Sequence, residues 1–141
     1  MPSGDGMKVG MHSFDCRDAA ALAGFWSRVL MRPVDEGATR AFATIGFDED
    51  GPTWMFHQPD GEFAARPNRL MLDLGGEADW LEQADRVQAL GAERISDNEQ
   101  DGIRWVVFRD PEGNTFRIFA RGPASHPSVS HRHGTFDPMT L

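Results

Sequence analysis

The chain reads as an α+β fold built from two tandem βαβββ modules, and three features of its 141 residues point there. The first is an internal repeat. Val9 to Leu30 and Arg69 to Leu90 follow one plan at an offset of 60 residues, so that Met11 falls on Met71 and Leu30 on Leu90. After a small insertion the offset becomes 62, and Asp48-Glu49-Asp50-Gly51-Pro52-Thr53-Trp54-Met55-Phe56 lies over Asp110-Pro111-Glu112-Gly113-Asn114-Thr115-Phe116-Arg117-Ile118. A period this long, present only twice, marks two copies of one supersecondary unit packed together. The second feature is that hydrophobic periodicity switches between helix and strand spacing in the same order in both copies. The third is a pair of Gly-containing and Pro-containing turns at equivalent places.

The elements follow in order. Lys8 to Asp15 is short and strand-like and ends at Asp15-Cys16-Arg17-Asp18, where Asp18 is a natural helix N-cap. In the helix that follows, Leu22, Phe25, Trp26, Val29 and Leu30 recur at helical spacing and form a buried face, and Pro33 stops it. Phe42 to Phe47 and Thr53 to Gln58 are strands joined by the turn at Asp48 to Pro52. The second copy repeats this with a strand from Arg69 to Leu74 and a helix from Asp79 to Leu90 that ends at Gly91. Leu81, Ala84, Val87 and Leu90 are the apolar side of that helix, with Trp80 beside them. Ile103 to Arg109 and Thr115 to Ala120 form the closing hairpin. Short strands at Val34 to Asp35 and Glu93 to Ser96 complete each unit as βαβββ.

The expected organisation is a disordered start at residues 1–6, modules at 7–58 and 68–121 with a Pro-containing and Gly-containing linker at 59–67, and a tail at 122–141. Chain length suits a core that buries roughly 68% of the unfolded surface, so no disulfide or metal is needed to hold it. The net charge of −8 is spread without a basic stripe, which argues against nucleic acid and anionic membrane partners. The single cysteine, Cys16, excludes an internal disulfide and fits a reducing compartment. The first residues lack a basic and apolar leader, and no apolar run reaches the ~18 residues of a membrane span. The expected setting is the cytoplasm.

Several segments together carry a family resemblance: Asp15 to Asp18 with Leu22-Ala23-Gly24-Phe25-Trp26, then Asn68 to Leu74, Ala89-Leu90-Gly91-Ala92, and Phe108-Arg109-Asp110-Pro111-Glu112-Gly113-Asn114-Thr115-Phe116. In this the chain resembles the vicinal oxygen chelate superfamily, and within it the glyoxalase-like, bleomycin-resistance-like branch common in bacteria, over about residues 7–121. The resemblance implies two βαβββ units whose mixed sheets curl into a cup with helices outside, and a homodimer as the default assembly. In metal-dependent members a divalent ion sits in the cup on His, Gln or Glu side chains from the first and last strand of each unit. There it acts as Lewis acid and template.

Carried over strand by strand, those positions are Met11, Met55, Met71 and Arg117. Thioethers suit soft ions and a guanidinium is a permanent cation, so no metal and no other cofactor is expected. Alternation turns Leu70, Leu72 and Leu74 toward the helix, and Arg69, Met71 and Asp73 into the cup. It likewise sends Val9, Met11, Ser13, Thr53, Met55, His57, Thr115, Arg117 and Phe119 inward. A one-residue slip would instead bring His12 in, which with His57 supplies half a metal site.

The candidate ligand-binding residues are therefore Met11, Met55, His57, Met71, Asp73, Trp105 and Arg117. The methionines are either an adaptable lining or filler that packs the cup shut. Arg117 is suited to a ligand carboxylate, phosphate or phenolate, or to pairing with Asp73 across the cup, and the two roles are compatible. His57 is the candidate catalytic residue, as a general base, or else a hydrogen-bonded rim residue. Trp105 stacks on a ligand ring or packs in the core. Cys16 has no fixed base beside it, Glu112 is a solvated turn acid, and His126, His131 and His133 lie in the tail. The expected function is metal-independent binding of a small aromatic or anionic metabolite or antibiotic. The alternative is a lyase, isomerase or dioxygenase of the same fold using a divalent metal or His57, and a third reading is a structural dimer with a self-filled cup.

Overall fold

The computed structural model describes residues 6–61 and 68–120. Residues 1–5, residues 62–67 of the linker and the tail with its three histidines lie outside the described residues. The element order is β1 (Met11–Asp15), α1 (Ala19–Leu30), β2 (Phe42–Ile45), β3 (Thr53–His57), β4 (Leu72–Gly75), α2 (Trp80–Ala89), β5 (Glu93–Gln100), β6 (Ile103–Arg109) and β7 (Thr115–Phe119). The chain separates into two compact units that divide at residues 64–65.

In the first unit the sheet order is β1-β3-β2, with β1 parallel and β2 antiparallel to β3. Helix α1 starts where Asp18, in an extended conformation, accepts a hydrogen bond from the Ala21 amide at 3.1 Å, which satisfies one of the orphan donors of the first turn. It ends at Leu30, because Met31 takes a left-handed conformation with φ 55° two residues before Pro33. Leu22, Phe25 and Trp26 are buried on the sheet side, as the helical spacing required, while Val29 and Leu30 are half-buried. Trp26 meets Trp54 at 5.3 Å between ring centroids, and Phe14 stacks on Phe56 at 5.0 Å. With Ala43, Ile45 and Phe56 these rings form one aromatic core between α1 and a single face of the sheet.

The extra strand expected at Val34 to Asp35 is reduced to one bridge, Val34 to Ile45. Asp35 continues the contact by other means: its amide donates to Thr44 O, and its carboxylate Oδ2 accepts from Thr44 Oγ1 at 2.7 Å and from the Phe47 amide at 2.9 Å. Strand β2 stops at Ile45 rather than Phe47 because Gly46, at φ 75°, turns the chain out of the sheet. Phe47 is left 62% exposed.

The second unit is a complete βαβββ module with sheet order β4-β7-β6-β5, in which β4 is parallel to β7. Strand for strand this is the arrangement of the first unit, and the register repeats as well. Ser13 pairs with Met55 and Asp73 with Arg117, the same two positions at offsets of 60 and 62. Just beyond the ladder, the Cys16 amide donates to His57 O and the Gly76 amide to Phe119 O, both at 3.0 Å. The closing hairpin matches the expected strands, and β5 is longer than expected, running to Gln100 with an irregularity between Arg94 and Ser96.

Two expectations fail here for identifiable reasons. Leu70 does not face the helix; it is 75% exposed and lies before β4, which begins only at Leu72. In the first unit the Thr53 amide donates to a backbone carbonyl, Gly10 O. In the second, the equivalent Thr115 amide donates to Asn68 Oδ1 at 2.7 Å, and Asn68 Nδ2 donates in turn to Thr115 O at 2.9 Å. A side-chain amide thus substitutes for one rung of the ladder and the backbone at 69–71 leaves the sheet. Leu81 is not on the buried side of α2 either, being 43% exposed. Trp80, Ala84 and Val87 are the buried residues, spaced i, i+4 and i+7. The larger ring of Trp80 takes the apolar face, with the Arg104 guanidinium 5.1 Å from its centroid.

Two outcomes follow. Trp26→Ala should lower stability by about 3–5 kcal/mol, whereas Leu81→Ala should stay within about 0.5 kcal/mol; urea unfolding of both variants measures this, and a large loss at Leu81 would contradict the orientation of α2. Hydrogen bonds from Thr44 and Phe47 hold Asp35 below its ordinary carboxyl range despite partial desolvation. A depressed folded-state value contributes stability that is present above about pH 4 and lost as pH falls through the folded value. The midpoint of chemical unfolding should therefore fall less steeply below pH 4 in Asp35→Asn than in the native chain.

Candidate ligand-binding site

The parallel pairing of first and last strands decides which side chains share a face within each unit. In the first unit Ser13 lies beside Met55 and Asp15 beside His57, with Thr44 and Phe42 opposite Met55 and His57 on β2. Met11 starts the same face and is 41% exposed. The face toward α1 carries Phe14, Trp54 and Phe56, and His12 belongs with them: its ring meets Trp54 edge-on at 5.3 Å. The slipped register that would turn His12 to the Met11 side is therefore not the one adopted.

His57 and Asp15 form the titratable pair of this face. His57 Nδ1 is 3.2 Å from Asp15 Oδ1, an ion-pair distance for a protonated imidazole, although the geometry is not that of a hydrogen bond. Cys16 is fully buried next to this pair, and its thiol lies 3.7 Å from His57 O. That contact places the sulfur in the core and away from a nucleophile's role.

In the second unit Asp73, Arg117 and Val107 form one row across β4, β7 and β6, and Gly75, Phe119 and Trp105 form the next. Met71 immediately precedes β4 and is half-buried. Gly75 has φ 102°, and a Cβ there would come within 2.5 Å of Phe119 O, so only glycine lets the strands approach this closely. Trp105 is 2% exposed and stacks on Phe119 at 5.5 Å with the rings 22° apart. The sequence left open whether Trp105 packs or contacts a ligand; in the structure its partner is Phe119.

Arg117 is the polar centre of this unit. Its Nε donates to Asp73 Oδ1 at 2.6 Å and its Nη2 to Asp73 Oδ2 at 2.8 Å, a bidentate pair that fixes the guanidinium in one orientation. The side chain of Arg117 is 5% exposed and that of Asp73 45%. The third nitrogen, Nη1, is buried without a hydrogen-bond partner. Such an orphaned donor costs about 1–3 kcal/mol, a cost that a ligand oxygen placed there would remove. The guanidinium carbon is 5.1 Å from the Phe119 centroid, so cation, Phe119 and Trp105 succeed one another along this face.

The positions that the superfamily resemblance assigns to a metal are Met11, Met55, Met71 and Arg117, and the donors present do not fit a hard divalent ion. Three are thioethers and the fourth is a buried cation already engaged by Asp73. Among the described residues no group of three or more His, Cys, Asp or Glu could hold a metal ion. None of their helices is long and apolar enough to cross a membrane.

The sequence alone exposed the Asp73 and Arg117 positions and their mutual pairing. It did not show Asn68, whose amide aligns β7 next to Arg117; an asparagine four residues before β4 gives no distinctive signal. Nor did it show that Asp73 engages one edge of the guanidinium and leaves Nη1 without a partner.

The sequence profile of the family described as Glyoxalase-like domain matches residues 11–119. A glyoxalase/bleomycin resistance protein/dioxygenase family enzyme from Burkholderia phytofirmans PsJN superposes with a TM-score of 0.66 at 19% identity, over 81% of this chain and 98% of that one. A glyoxalase-related enzyme from Fulvimarina pelagi gives 0.63 at 13% identity, over 81% and 88% of the two chains. A lactoylglutathione lyase from Agrobacterium tumefaciens gives 0.60 at 16% identity, over 84% and 94%. At these identities the likeness is one of fold. No curated protein matches the sequence significantly.

Proposed function

The chain belongs to the glyoxalase-like domain family of the vicinal oxygen chelate superfamily, and from that premise we propose that it binds a small aromatic or anionic molecule without a metal ion. Sequestration or handling of a metabolite or an antibiotic-like compound is the role that fits. The observation that carries this is Arg117, a buried guanidinium with one nitrogen unpartnered, at a position that the superfamily resemblance assigns to a metal ligand. Its neighbours Phe119 and Trp105 supply aromatic surface. Apolar walls around few polar anchors are the usual make-up of a small-molecule site. A soluble homodimer in the cytoplasm is the expected setting, and light scattering on the purified chain reads its assembly.

A second reading, an enzyme of the same fold, is favoured by the proximity of His57 to Asp15, since a carboxylate beside an imidazole can orient it as a general base. On that reading His57→Ala would abolish turnover and leave the unfolding midpoint unchanged.

Metal analysis of protein purified without a histidine tag should find less than stoichiometric divalent ion; one tightly held ion per chain would overturn metal-independent binding. Arg117→Met removes the guanidinium donors while keeping an apolar stem. Replacing a buried ion-pair member by an apolar residue leaves Asp73 half-exposed to water, so the stability change should stay within about 1–2 kcal/mol. Thermal shifts produced by a panel of planar aromatic carboxylates and carboxamides should disappear in this variant. A panel that shifts native and variant protein equally would place the binding elsewhere.

A further inference from the structure

We propose that the Arg117 site selects uncharged planar carbonyl compounds over carboxylates, and that Asp73 is the residue that sets this preference. The inference rests on the ligand-binding reading above and names its ligand class. A guanidinium carries five N–H donors in a fixed plane. Asp73 takes those on the lateral edge, Nε and Nη2. What remains is the edge formed by Nη1 and the second hydrogen of Nη2, and Nη1 is buried with no partner.

Two kinds of ligand oxygen could occupy that edge, and charge separates them. With contacts of 2.6 and 2.8 Å, Asp73 already offsets the positive charge of Arg117. A carboxylate on the remaining edge would bring a second negative charge to a cation that Asp73 already balances. The resulting excess charge would sit beside a side chain only 5% exposed, where water reaches it poorly. A carbonyl oxygen offers in-plane lone pairs to the same N–H groups and adds no charge. Amides and conjugated ketones are the chemical class this describes.

The flatness of the ligand follows from what flanks the cation. Phe119 lies 5.1 Å from the guanidinium carbon, and Trp105 stacks on Phe119. Both aromatic side chains are held by the β6 and β7 ladder, in which Trp105 pairs with Phe119. A ring conjugated to the bound carbonyl, coplanar with the guanidinium, would extend this series of flat surfaces. An sp³ substituent at the carbonyl carbon would leave that plane.

Asp73→Asn tests the role of the charge, because asparagine keeps the shape and one acceptor oxygen for Arg117 while removing the negative charge. Calorimetric titration of the full chain with naphthalene-2-carboxamide and with 2-naphthoate compares two probes of one shape. The native protein should bind the carboxamide at least about tenfold more tightly. In Asp73→Asn the order should reverse, through a gain of about tenfold or more for 2-naphthoate. Stronger binding of 2-naphthoate to the native protein, or an unchanged ratio in a folded Asp73→Asn, would overturn the assignment and leave the ligand-binding reading standing. Should Asp73→Asn fail to fold by circular dichroism, the native ratio decides by itself. If the native protein binds neither probe at about 1 mM, the assignment and the ligand-binding reading both fall.

Discussion

The parallel pairing of first and last strands closes each module, and the rest of the module depends on it. A parallel neighbour cannot be reached by a tight hairpin, so the chain must cross over, and the helix with the antiparallel strands that follow it makes that connection. Covering one face of the sheet with the helix consumes the large apolar residues of that face: Trp26 against Trp54 and Phe14 in the first unit, and Trp80, Ala84 and Val87 of the helix in the second. The opposite face is buried as well in the second sheet, at Trp105, Val107 and Arg117, while in the first it leaves Met11, Ser13 and Asp15 exposed. The register of one pairing, Ser13 with Met55 or Asp73 with Arg117, fixes which side chains meet there.

A buried guanidinium on such a face needs a compensating group, and the register supplies it from the adjacent strand. Asp73 stands directly beside Arg117 in the ladder, close enough for two charge-assisted hydrogen bonds. Removing either partner would leave the other uncompensated, and the loss would fall mainly on Arg117, which is the more deeply buried of the two. Asn68 serves the same strand differently. By bonding both the amide and the carbonyl of Thr115, it sets the start of β7 two residues before Arg117. The orientation of the cation thus derives from local pairings on both sides of it.

Much of this was legible in the sequence because strand alternation and repeat offsets are properties of spacing alone. Alternation turned Asp73 and Arg117 to the same side of the sheet, and the ladder pairs those residues. Alternation put Phe14, Trp54 and Phe56 on the helix side, where their rings lie. What spacing could not supply was competition between groups with equal claims on one position. Trp80 and Leu81 are consecutive, and either could begin an apolar stripe; the larger ring is the one buried. Leu70 continues the alternation of β4 perfectly well, but the Asn68 side chain takes the rung it would have extended. Which edge of Arg117 meets Asp73 likewise depends on side-chain geometry that no pattern of residue types encodes.

Equivalent positions of the two modules carry different chemistry at the same place in the ladder. Asp15 beside His57 in the first unit corresponds to Gly75 beside Phe119 in the second. At Gly75 the backbone geometry allows no side chain, because a Cβ would collide with Phe119 O. At Asp15 the chain accommodates a carboxylate within ion-pair distance of an imidazole. The backbone bond just past each pair is the same, from Cys16 to His57 O and from Gly76 to Phe119 O, so this exchange of chemistry leaves the closure of the module intact.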